Sequence, residues 1–154
     1  MYLLNFWDTN GNERSSKGLP NNLYKNCAGI ILVCSYDKRE SFESLPKWLD
    51  FISLHIPNKQ IPILLMVNKN DIAKDKKLIN SNEITEFSEN NRIPAVSISA
   101  RKCESAEVGI NKFLELLSGD LLNLFFETEN KRRQSICDAK KLKVVVELPK
   151  KKCC

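Results

Sequence analysis

Apolar residues fall into two patterns along the chain. Residues 28–34 (AGIILVC) and 63–67 (ILLMV) are unbroken runs rich in branched side chains, which is how strands buried on both faces read. Residues 2–7 form a shorter strand pattern with Leu4 and Phe6 on one face, and residues 93–97 form another. Between these runs the spacing changes to three and four. Phe42, Leu45, Leu49 and Ile52 predict an amphipathic helix over residues 39–54, with Pro57 and Pro62 bracketing its exit. A short polar helix is predicted over 82–90, capped by Ser81 or Asn80, and a long one from 105 to about 126 with Val108, Phe113, Leu117 and Leu121 on one side. Strands alternating with helices predict a three-layer α/β fold around a mainly parallel sheet.

Charge divides the chain. Residues 1–126 hold 15 Lys/Arg and 15 Asp/Glu, whereas residues 127–154 hold nine and four, so the net charge of +5 lies in the tail. The expected organisation is a domain over 1–126 followed by a flexible, basic tail. A neutral body with a basic tail points to an anionic surface as the tail's partner. No aromatics are interleaved with the tail lysines, which argues against nucleic acid. No charged-then-apolar leader is evident, so six cytosolic thiols are expected rather than disulfides. Cys27, Cys34, Cys103 and Cys137 are scattered without Cys-x-x-Cys spacing, which disfavours structural zinc, and one histidine, His55, gives a catalytic triad little support.

Three strand ends carry groups that suit a nucleotide. Asp8 closes the first strand and suits a Mg²⁺ held through water, with Gly11 three residues on, where a backbone N–H can approach a phosphate closely. Asn68-Lys69-Asn70-Asp71 follows the second buried run, and Asp71 could accept two N–H bonds from one edge of guanine. Ser99-Ala100-Arg101 follows the last strand. Each is common turn chemistry on its own; all three in this order are not.

With WDTNGNE (7–13), GIILVCSYDKRESF (29–42), Trp48, NKND (68–71) and SAR (99–101), the chain resembles the Rab branch of the Ras superfamily of small GTPases over residues 2–126. That resemblance implies GTP or GDP as ligand and GTP hydrolysis as activity. Asp8 would serve the Mg²⁺ shell and Gly11 the terminal phosphate. Asn68, Lys69 and Asp71 would read guanine, with the Lys69 stem over the purine ring. Ser99 and Ala100 would support the base and offer a backbone donor to its carbonyl oxygen, with Arg101 where the family usually has lysine. Residues 8 to about 24 would form the second switch segment.

Two departures bear on activity. Asn12 stands where the family places the glutamine that orients the attacking water, and its amide is one methylene shorter, so slow hydrolysis is expected. No Gly-x-x-x-x-Gly-Lys-[Ser/Thr] cradle is present: Gly11 is followed five residues on by Ser16, and Gly18 by Leu23. Relative to the family the fold lacks its first two strands and first helix. The expectation is an upstream segment in a longer protein, or alternatively a nucleotide-independent, membrane-tethered interaction protein. The missing first strand would lie between residues 2–7 and 28–34, so these two must pair directly or leave an apolar edge open. A bidentate base contact gives about 1–3 kcal/mol of discrimination, against about 8 kcal/mol for micromolar affinity. Residues 1–154 alone should therefore bind GTP negligibly.

Cys153-Cys154 after three lysines resembles the Rab terminus that receives two geranylgeranyl groups. The resemblance implies Rab escort protein or GDI and geranylgeranyl transferase as partners, and a location on the cytoplasmic face of an intracellular membrane, cycling with cytosol, in vesicle trafficking. Residues 144–148 are a candidate aliphatic patch for an escort protein, and Ser135 after Arg132-Arg133-Gln134 a candidate kinase site that would lower the tail's charge.

Overall fold

A computed structural model describes residues 4–8, 27–56, 61–129 and 142–146, and the side chains of these except residues 4, 120–129 and 142–146. Five strands run in chain order: β1 (Leu4–Asp8), β2 (Cys27–Ser35), β3 (Ile63–Asn68), β4 (Ala95–Ser97) and β5 (Leu142–Val146). They form one parallel sheet in the order β1-β5-β2-β3-β4. The helices are α1 (Arg39–Glu43), α2 (Leu45–His55), α3 (Ser81–Asn91) and α4 (Cys103–Glu129), with one turn of 3₁₀ helix at Lys74–Lys76.

The apolar runs become the sheet's centre because every second residue meets one of two cores. On one face Ile30, Leu32, Cys34, Leu65 and Val67 pack with Leu45, Ile79, Ile84 and Ile93. On the other Ile31, Leu64 and Met66 pack with Ile98, Phe113 and Leu117. Gly29 brings α4 close: a methyl group there would lie 2.7 Å from Phe113 Cζ and 3.1 Å from Leu117 Cδ2. Val108, predicted on the same helical face, is 58% exposed instead. It sits five residues before Phe113, about 140° around the helix, whereas Gly109 lies on the buried side.

The helix expected over 39–54 breaks at Ser44. Pro46 lacks an N–H to continue the first helix, and its ring would clash with the carbonyl four residues back, so a new helix starts around it. The hydrophobic stripe survives, with Leu45 buried and Phe42, Leu49 and Ile52 against the first core. Helix α3 is capped by Asn80 through a capping box with Glu83, and ends at Arg92 in the left-handed conformation.

Neither arrangement expected for the first strand occurs. β1 and β2 do not pair, and β1 is not left alone: β5, from the segment expected to be flexible tail, lies between them. Val144-Val145-Val146 and its neighbours supply β-branched backbone for a gap the sheet would otherwise leave open. Residues 127–129 of that tail continue α4. The rest of the tail lies outside the described residues.

Candidate functional site

In open parallel sheets ligands gather beyond the carboxyl ends of the strands. Here the loops after β2, β3 and β4 meet at that end. Asn68, the last residue of β3, joins two of them: its Oδ1 accepts from the Lys69 N–H (2.7 Å) and from the Ala100 N–H (2.9 Å). The Asn70 N–H donates to the Ile98 carbonyl (3.0 Å), which ties the same loops a second time. Buried Ser99 donates through Oγ to Asp71 Oδ1 (2.6 Å), while its N–H donates to Ser105 Oγ (2.9 Å) at the start of α4.

Asp71 is thereby aimed and charged. Its side chain is only 14% exposed, and the Arg101 guanidinium stands 3.8 Å from Oδ2. The Ser99 hydrogen bond holds the carboxyl below its ordinary 3.8, against some cost of burial, and Arg101 and Lys102 add to the effect. A carboxylate has about four acceptor positions, so two parallel N–H donors could be accepted beside the Ser99 bond.

Lys69 sits at φ 65°, a conformation that costs a non-glycine residue energy and tends to occur at ligand sites. Its ammonium pairs with Asp37 just beyond β2, which also accepts from the Ser35 hydroxyl. Burial would push the Asp37 carboxyl up, but the bonds from Lys69 and Ser35 outweigh it and hold the group below 3.8. Tyr36 pins the loops from beneath: its hydroxyl lies 2.7 Å from Ser97 Oγ, and its N–H donates to the Asn68 carbonyl (3.1 Å). Sequence reasoning did not single out Asp37. The signal was available, since Asp37 follows an apolar strand much as Asp8 does.

The structure therefore brings Asn68, Lys69, Asp71, Ser99, Ala100 and Arg101 together. The Ala100 N–H, expected to meet the guanine carbonyl, is engaged by Asn68, so a base would have to share or displace that bond. Asp8 closes β1 at the same end of the sheet, in register with Val146 of β5, itself opposite Ile31. That leaves it four residues, about 13 Å, short of Ser35 along the strand direction. Its exposed carboxylate suits an outer-sphere Mg²⁺ contact, but among the described residues no group of three acidic, His or Cys side chains surrounds a metal position. Gly11, Asn12, Ser135, Cys153 and Cys154 lie outside the described residues.

The other candidates take structural roles. Cys27 and Cys34 are buried, and burial raises the Cys34 thiol to about 12, which leaves it unreactive. His55 ends α2, stacked on Phe51 and donating through Nδ1 to the Phe51 carbonyl (2.8 Å). Trp48 packs against the first core, whereas Trp7 is 45% exposed.

The protein is thus a parallel α/β domain with tied Asn-Lys-x-Asp and Ser-Ala loops at the carboxyl end of its sheet. The Ras family model matches residues 1–118. Ras-related protein RABA4b of Arabidopsis thaliana is 30% identical over 126 residues, 82% of this chain and 51% of that protein. RabF1 of Dictyostelium discoideum is 30% identical over 132 residues, 86% of this chain and 65% of that protein. RabQ of the same organism is 35% identical over 158 aligned positions, 98% and 72% respectively. The chain belongs to the Ras family of small GTPases and is Rab-like within it. It spans between half and two-thirds of the length of the first two relatives.

Proposed function

We propose that these residues are the guanine-reading part of a Rab-like membrane-trafficking switch. The observation that carries this reading is the coupled pair of loops, in which Asn68 bridges to Ala100 and Ser99 fixes Asp71. Such an arrangement holds a carboxylate ready for the N1–H and amino group of guanine and offers adenine no match. Phosphate and Mg²⁺ contacts beyond Asp8 and Gly11 would come from a cradle this sequence does not contain. In a longer protein that has one, Asn12 would make hydrolysis slow.

The tail completes the reading. Cys153 and Cys154 would carry two prenyl groups, and the preceding lysines would add attraction to anionic lipid of about 1 kcal/mol each. A geranylgeranyl transferase and an escort protein or GDI are the matching partners, on the cytoplasmic face of an intracellular membrane.

Amide NMR during nucleotide titration tests the base site on the chain as it stands. Guanosine monophosphate at millimolar concentration should shift residues 68–71 and 99–101, and adenosine monophosphate should not. GMP, GDP and GTP should bind alike, because no cradle rewards added phosphates. Asp71→Asn exchanges an acceptor for a donor, so it should lose guanine and favour xanthine, whose 2-oxo group accepts. Equal shifts with adenine, or none with guanine, would sink this reading.

A further inference from the structure

The slot between β1 and β2 is filled by a strand that arrives from the far end of the chain. We propose that this slot is an exchangeable strand-addition site whose occupant is residues 142–146 of the same chain. Docking of that strand fixes β1, and Asp8 with it, and shortens the free C-terminus.

Three observations converge on exchange rather than permanent burial. First, β5 pairs with β2 at only four positions, with a register irregularity between Cys27 and Gly29, whereas β2 and β3 pair without a break at six, so the β5 ladder is the weaker of two parallel ones. Second, Lys143 is paired with Asn5 on one side and Cys27 on the other, and lysine marks edge strands rather than central ones. Third, among the described strands β1 pairs with β5 alone, and its Phe6 and Trp7 are 46% and 45% exposed. An edge strand with half-exposed side chains opens at lower free energy than the buried β2 and β3 strands.

The consequence for the tail is geometric. With β5 docked, eight residues remain from Glu147 to Cys154, which reach at most about 29 Å. With β5 released, the tether starts after α4 at Glu129 and its 25 residues reach at most about 90 Å. Strand docking therefore sets how far the sheet can stand from whatever holds Cys153 and Cys154. Any other parallel strand rich in β-branched residues would compete for the slot.

Hydrogen exchange read by mass spectrometry on the full chain tests this. In the wild type, residues 142–146 should be protected and should open together with 4–8, before 63–68. Val145→Pro removes an N–H from the middle of the ladder, and should lower protection at 4–8 and 27–31 by about tenfold or more while leaving 63–68 unchanged. A synthetic peptide of residues 141–147, added to that variant, should restore protection at 4–8. Exchange of 142–146 at the unprotected rate, unchanged 4–8 in the variant, or no rescue by the peptide would each overturn the proposal. So would protection at 4–8 that rises with protein concentration alongside dimer formation, because a second copy would then supply the strand. If Val145→Pro unfolds the whole chain, the wild-type order of opening decides: 142–146 opening only with 63–68 would rule exchange out.

Discussion

The β2–β3–β4 side of the sheet and the β1–β5 side are built by opposite means. Strands β2 and β3 are almost wholly buried, each packed by helices on both faces, and their loops are tied by side-chain hydrogen bonds to Asn68, Asp37 and Ser99. Strand β1 has half-exposed aromatics and depends on a five-residue strand from a distant, lysine-rich segment. The first side is stabilised by apolar burial and so holds the loops after β3 and β4 in a set geometry. On the second, β1 lies at the sheet's edge and its described pairing is to β5.

The sharpest way to break this comparison is to truncate one aromatic on each side. Phe113 is fully buried against β2 and β3. Phe113→Ala should cost about 3–5 kcal/mol in denaturant unfolding, with exchange rising across the sheet. Trp7→Ala removes a larger side chain but only a half-covered one. Its loss should be no more than about half as large, and confined to β1 and β5. Equal costs for the two would mean that both sides belong to one cooperative core.

What could be read in the sequence follows the same division. Residues 28–34 and 63–67 reveal their strands because burial on both faces demands an unbroken apolar run, and they lie close to the observed β2 and β3. NKND, which begins on the last residue of β3, and SAR, two residues past β4, were legible as neighbouring loops because the topology brings those strand ends together. The break at Pro46 was visible as a residue but was overridden by the stripe from Phe42 to Ile52, which continues across it. β5 was not legible: three valines among charges carry no local sign of their partners, which lie more than a hundred residues away in sequence. Asp37 was legible as an acid just past an apolar strand, but its pairing with Lys69, 32 residues on, was not, since a contact of that separation leaves no periodicity.

A smaller effect is expected at Gly29, where the two sides meet. It pairs with Val144 of β5 and lies under Phe113, so a new Cβ meets ring and carbonyl atoms at 2.7–3.1 Å. Gly29→Ala should cost about 1–2 kcal/mol net, strain outweighing the gain from a stiffer unfolded chain. Because β2 must shift or Phe113 must tilt, exchange should rise at β5 and around Phe113 together. A stabilised variant would show that the close approach of α4 is not needed.

Acid should produce the smallest change and act on the first side. Asp37 and Asp71 are held below their ordinary 3.8, and Glu83 below its ordinary 4.5 by the Asn80 N–H and by Arg39. Depressed carboxyls mean that the unfolded chain takes up protons first as pH falls. The stability they contribute is complete above those ordinary values and is lost as pH drops through the lower folded ones. Amide shifts of residues 68–71 and 99–101 should therefore stay flat from neutrality to about pH 4.5 and move only in stronger acid. Ser99→Ala removes the largest cause of the Asp71 depression, so the same amides should begin to move at higher pH. Movement of the wild-type loops well above pH 4.5 would mean that Ser99 does not hold Asp71 ionised, and that the carboxylate proposed to read the base is not set in advance of a ligand.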